Sequence, residues 1–461
     1  MGRVTSHRNS DSREPDQRPR RRRPQHRAET GSGPVPAAED SAGDRSRGGH
    51  QALGPDAPGH THSHSGPLNL SALEAKRVRL VLAAIVVPLV LVTLVGLVVL
   101  WPKHSTLVGS QPFTSQEASL ETATITSLDV AQCQEASAAL GGVSDGSLLK
   151  DAVCAKITSG AGAGLILPVH IPAESRPAAG VGDGLKVMYT PQALAGGTPY
   201  VFVDYTRDLP IAALAVVYLV LVVAVAGRKG ALSVLGLLLA TGVLVAFMIP
   251  ALLGGASPML VTLVGSSAMM LLAVYVAHGV SVRTTTALLG TVVGVGITVV
   301  LSLWGTGAAN LTGAVDETAM TLASLVEGID LQALLTCGMV VAGLGVLNDV
   351  TITQASAVWE LHAANPALAR RRLFIGGMRI GRDHIASTVY TLAFAYAGTA
   401  LPLILSAALI DRAVMDTVLS GEIAEEIVRT LVSSIGLVLS IPATTAIAAA
   451  LCRTTAVPEE A

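Results

Sequence analysis

GLGVLNDVTITQASAVWE, residues 343–360, starts as the close of an apolar run and turns polar with no turn signal between. On a helix, Asp349, Thr353, Ser356 and Glu360 fall at i, i+4, i+7 and i+11 and share one stripe. Val350, Ala357 and Leu361 lie on one flank of it, Ile352 and Trp359 on the other. A polar stripe leaving a hydrocarbon-spanning segment is costly unless it faces protein or water. The stretch therefore predicts a membrane helix that carries functional polar groups at its end. The alternative is that the membrane stops at Leu347 and a wet amphipathic helix begins.

Composition agrees with a membrane protein. Of 461 residues, 51% are hydrophobic and only 14% charged, against about 25% charged in a soluble domain. Residues 1–75 differ sharply. They are rich in Arg, His, Pro, Gly and Ser, and such a segment cannot bury enough apolar surface to offset its ordering entropy. It is expected to be a disordered cytoplasmic tail. Its basic block at Arg18 and Arg20 to Arg23 suits anionic lipid or simple solvation, and nucleic acid is not expected as a partner. His60, His62 and His64 alternate, a pattern that suits weak metal holding, but without a second ligand cluster no metal site is expected there.

Lys76, Arg77 and Arg79 precede an apolar run ending at Trp101, so residues 76–101 are expected as the first transmembrane helix with a cytoplasmic N-terminus. Residues 102–206 then lie outside. Five strand-like runs, around Ile125, Ile157, Leu167, Val187 and Val203, are separated by Gly-rich turns and predict a small β-barrel or sandwich. Cys133 and Cys154 sit in this exported region and are expected to form a disulfide.

Seven further apolar runs follow, at about 209–226, 230–252, 258–278, 284–304, 331–347, 385–410 and 426–451. The expected fold is an all-α polytopic bundle of about eight transmembrane helices, with a β-rich extracytoplasmic domain between the first and second. Residues 207–453 form the seven-helix part, with a cytoplasmic loop at 348–384, and 454–461 are a cytoplasmic tail. Loop charges support the order. Arg228, Lys229, Arg283, Arg370, Arg371, Arg372, Arg379, Arg382 and Arg453 all fall inside if the helices alternate, whereas the loop holding Asp316, Glu317, Glu327 and Asp330 falls outside. Pro250, Pro402 and Pro442 bend their helices, and Gly290 with Gly294 admits a close neighbour.

No HExxH, GxSxG, Walker A or Rossmann fingerprint occurs in a suitable context, so enzyme chemistry, a metal and a cofactor are not expected. The candidates are polar groups at the membrane: Asn348 and Asp349, with Thr353, Gln354 and Ser356 supplying oxygens for a cation or proton. A second set is Arg382, Asp383 and His384, then Ser387 and Thr391. Asp383 also suits a helix cap, and Arg382 suits an ion pair with Asp349. His278 closes the fourth span, where a lone His is more often interfacial than functional. Asp204 and Arg207, at i and i+3, suit a local pair fixing the next helix.

Four motifs occur in order: DYTR at 204–207, HG-x3-RTT from His278, GLGVLNDVTITQASAVWEL at 343–361, and GMRIGRDHIASTVYTLAFAYAGTALPLIL at 377–405. Together they resemble the YibE/F family of bacterial multi-pass membrane proteins, over about residues 120–452. The resemblance implies an integral protein of the cytoplasmic membrane of the kind taken to be a transporter, with no established catalytic residues. It also implies a homo-oligomer or a hetero-oligomer with a shorter YibF-like chain. The expected function is a permease or exporter of a small solute or ion. The alternative is a scaffold or sensor whose exported domain binds a partner.

Overall fold

A computed structural model describes residues 72–102, 118–133, 151–160, 162–190 and 199–452. All belong to the second of two compact units, Ser63–Ala461. The tail with its arginine block and alternating histidines, Arg453, and residues 454–461 lie outside the described residues.

The five expected strands are present: β1 Ser119–Ser127, β2 Ala152–Ile157, β3 Ile166–His170, β4 Gly184–Tyr189 and β5 Tyr200–Tyr205. All pair antiparallel, in the order β3-β2-β1-β4-β5. Alternation decides which face is covered: Ala123 and Ile125, Val153, Ala155 and Ile157, Leu167 and Val169, and Leu185 and Val187 form a core of their own. Register shifts at Ile125/Ser127 and Lys186/Val187 raise the twist, and β3 and β5 come into contact, so the sheet curls into a half-barrel. Cys133 and Cys154 are disulfide-bonded, Cα to Cα 5.8 Å, tying the end of β1 to β2.

The rest is helical. The helices are α1 Ala72–Val99, α2 Asp208–Val243, α3 Ile249–Leu253, α4 Pro258–His278, α5 Val282–Ala308, α6 Glu317–Leu325, α7 Leu331–Ala364, α8 Arg370–Thr399, α9 Leu401–Ala408, α10 Val414–Val418 and α11 Gly421–Leu451. A π turn at Leu244–Met248 joins α2 to α3. Six stretches are long and apolar enough to cross a membrane, and up to seven if α8 and α9, bent by 63°, count as one. The expected gap at residues 227–229 is a break inside one 46-residue helical stretch. Gly227 adopts φ +58°, which a side chain disfavours, and Gly230 then lies so close to the Val222 carbonyl that a Cβ would sit 2.4 Å from it. The chain therefore folds sharply at Gly227.

The expected loop at 348–384 is almost wholly helical: α7 continues to Ala364 and α8 starts at Arg370. Asp383 is consequently mid-helix and caps nothing. The acidic loop residues do cap. Asp316 accepts from the Ala319 N–H at 2.7 Å, and Asp330 from the Ala333 N–H at 2.9 Å.

The centre of the bundle is α5, α7 and α11. α8 covers α7 and α11, α4 joins α7 to α2, and α1 lies on α4 and α5. Apolar side chains along α1 and α2 stay exposed, among them Leu91, Val98, Leu214 and Val225, a surface that suits lipid better than water.

Candidate functional site: a polar seam between three helices

Where α5, α7 and α11 meet, small polar residues replace the expected hydrocarbon. On α11, Ser433, Gly436, Ser440 and Thr444 recur at i, i+3, i+7 and i+11 and are buried. On α5, Thr286, Thr291, Thr298, Ser302 and Thr306 are buried likewise. Glycines let the helices close. A Cβ at Gly290 would sit 2.0 Å from Thr444 Oγ1, and one at Gly436 2.2 Å from Thr298 Oγ1. The GxxxG of Gly290 and Gly294 therefore serves α11 within this chain.

Polar contacts run the length of the seam. At one end Trp359 Nε1 donates to Thr286 Oγ1 at 3.2 Å, and Arg283 pairs with Glu360. One turn in, the Thr291 and Thr351 hydroxyls meet at 2.6 Å. Gln354 Nε2 bridges three helices, donating to the Gly377 carbonyl of α8 at 2.9 Å and to Thr445 Oγ1 of α11 at 2.7 Å. At the far end the Thr306 and Thr336 hydroxyls lie 3.4 Å apart, and Gln332 Nε2 reaches the Leu311 carbonyl at 2.7 Å. There Glu425 accepts from the Gly313 N–H at 2.9 Å.

The satisfaction is incomplete. Gln354 Oε1, Ser302 Oγ and Ser433 Oγ are buried with no hydrogen-bond partner. A group left so costs about 1–3 kcal/mol. Ser433 lies at the middle of the seam, 3.7 Å from where a Gly343 Cβ would be.

Of the residues singled out from sequence, Gln354 borders the seam, where α8 meets α7 and α11, and Asp349 does not. Asp349 is exposed, and Thr353, Ser356 and Glu360 are half-buried. The buried face of α7 is the neighbouring one, with Thr351, Gln354, Val358, Trp359 and His362. The reason is bulk: the fully buried Trp359 and Val358 fix the rotation of the helix, which carries the acidic stripe away from the core. Asp349 is near enough for its charge to reach His278, itself exposed at the end of α4. Asn348 is half-buried, with Oδ1 enclosed and partnerless.

The α8 set stands apart. Arg382, Asp383, Ser387 and Thr391 are exposed and His384 is half-buried. Among the described residues no ion pair joins Arg382 to Asp349. The hydroxyls bond their own helix: Ser387 and Thr388 donate to the His384 carbonyl, and Thr391 to that of Ser387. Arg207 pairs with Asp204 at the start of α2, and that hydrogen bond holds the Asp204 carboxyl below its ordinary range. Sequence reasoning missed the α5 and α11 hydroxyls, although the α11 stripe at helical spacing was there to be counted.

No curated protein and no solved structure matches this chain. A family description, YibE/F-like protein, matches residues 214–454, which takes in α4, α5, α7, α8 and α11 whole and every residue of the seam. The four ordered motifs, the mostly helical fold with its long apolar helices and this match over more than half of the sequence agree: the chain belongs to the YibE/F-like family.

Proposed function

We propose that this protein is a permease or exporter of a small solute or ion, with the α5–α7–α11 seam as its path. The observation that carries the reading is the set of three orphaned buried polar atoms, Ser302 Oγ on α5, Gln354 Oε1 on α7 and Ser433 Oγ on α11, one on each of the three central helices. A purely structural seam gains nothing from leaving acceptors empty; a path that water or solute visits needs them. The seam is shut, so passage requires α11 and α5 to part. Gln354, not Asp349, is then the main contact, and the protein carries out no covalent chemistry.

Sidedness follows from charge. Arg228, Lys229, Arg283 and Arg370 to Arg372 gather at the end where Arg283 meets Glu360 and Arg370 meets the Cys452 carbonyl. That end is cytoplasmic by the positive-inside rule, in a bacterial cytoplasmic membrane, with the half-barrel outside. Counting both limbs at Gly227 and the bent pair as spans gives eight crossings and puts both termini in the cytoplasm. The long exposed apolar faces of α1 and α2 leave room for lipid and for a second copy or a YibF-like chain.

The half-barrel, with its own core and disulfide, favours a second reading: an exported domain that binds a partner, with the helices as its anchor. Proteoliposomes separate the two. Wild-type protein should move at least one member of a panel of inorganic cations, inorganic anions, amines and organic acids, and Gln354→Leu should not. Equal flux in a folded Gln354→Leu protein removes the seam from the path. Loss of cellular function on deleting residues 118–206, with Gln354→Leu harmless, selects the anchored binding domain.

A further inference from the structure

An opening lies away from the seam, between α11 and the last part of α8 with α9. Beyond Leu392, α8 is largely exposed, and the chain bends by 63° into α9. This leaves a cleft in two adjoining parts, with Leu403 and Ile423 as shared walls. The inner part, about 250 Å³, runs between Ala393 and Ala397 of α8 and Ile427 and Leu431 of α11. The outer part, about 350 Å³, mixes apolar walls such as Val315 and Ile410 with the Ser406, Thr417 and Ser420 side chains and the charges of Arg412 and Glu422.

Two features limit the occupant. Ile423 to Leu431 spans about 12 Å along the helix axis, and a slot of this volume takes a chain of methylenes but not a helix about 10 Å across. At the mouth, Arg412 and Glu422 line one cavity without pairing with each other. Among the described residues neither has another ion-pair partner. Glu426, deeper in, is already paired with Arg429. An apolar slot opening onto one cation and one anion is complementary to an amphiphile carrying both charges. We propose that this cleft holds a zwitterionic, amine-bearing phospholipid: the phosphate on Arg412, the ammonium on Glu422, and one acyl chain between α8 and α11. A purely anionic lipid would leave Glu422 facing its headgroup, and a second copy of the chain would need a wider groove. The site stands independently of the seam.

Native mass spectrometry of the full chain in detergent tests this, with phosphatidylethanolamine and phosphatidylglycerol of identical acyl chains as probes. One phosphatidylethanolamine should be retained per protomer, and Arg412→Gln and Glu422→Gln should each weaken retention roughly fivefold. Both positions are exposed, so these variants should fold as wild type does. Ala397→Leu, which fills the slot, should abolish retention. Equal retention of the two lipids, with Glu422→Gln silent, overturns the headgroup assignment. Unchanged retention in all three variants overturns the site, as does a second protein chain bound where the lipid should be.

Discussion

Replacing Gln354 tests whether its Oε1 is truly empty. The side chain is 1% exposed and donates twice through Nε2, to the Gly377 carbonyl and to Thr445 Oγ1. Each bond contributes about 1 kcal/mol net. Leucine forfeits both but strands nothing new: Thr445 Oγ1 still donates to the Ile441 carbonyl, and Gly377 is inside α8. Leucine also deletes the orphaned Oε1, relieving a cost of about 1–3 kcal/mol. The two changes cancel to within about 1 kcal/mol. Alanine relieves the same orphan but opens a cavity beside Val358, Gly377, Gly381 and Ile441, so it should cost about 2–4 kcal/mol. Thermal unfolding of purified protein in one detergent reads the difference, at roughly 2–4 °C per kcal/mol. Gln354→Leu should melt close to wild type and Gln354→Ala several degrees lower. If leucine destabilises as much as alanine, Oε1 has a partner of its own in solution and the premise of an open acceptor fails.

Three other outcomes are expected. Of the four cysteines, only Cys337 and Cys452 should alkylate in denatured, unreduced protein, and all four after reduction; joining residues 21 apart should make reduction cost the half-barrel about 3 kcal/mol. Gly290→Ala places a Cβ 2.9 Å from Thr444 Cβ and should cost about 1–3 kcal/mol in melting, of which Thr444→Ala restores only part, because the Cβ contact stays. The depressed Asp204 carboxyl stabilises the fold at neutral pH and loses that contribution as the pH falls below the ordinary Asp range. Arg207→Gln should therefore lower the melting temperature slightly at pH 7, with the gap closing in acid.

Much of the fold was legible because its signals are local. Each strand of the half-barrel announces itself by alternation, and the long helices α1, α4 and α5 by apolar runs. The turn at Gly227 was legible as a gap, marked by Arg228 and Lys229, although the backbone there is a break within helical residues and not a loop. The rotation of α7 was not legible. Period alone gives two adjacent faces, one with Asp349 and one with Gln354, and charge draws the eye to the first. Burial follows Val358 and Trp359, whose partners Gly377 and Thr286 are distant in sequence. The extent of α8 was missed for a related cause. Its arginines look like a loop, yet Leu373, Gly377 and Gly381 at a spacing of four hold that stretch against α7 and α11.

Six threonine hydroxyls in and beside the seam are tethered to their own helices. Thr291, Thr298, Thr306, Thr336, Thr444 and Thr445 each donate to the carbonyl four residues back. A relay that hands protons along a row needs every hydroxyl free to rotate between an upstream and a downstream neighbour. Here those six hydrogens are anchored to backbone, which interrupts any such row. Tethering of this kind lets a bundle hold polar atoms among apolar helices without an unbroken chain of exchangeable protons.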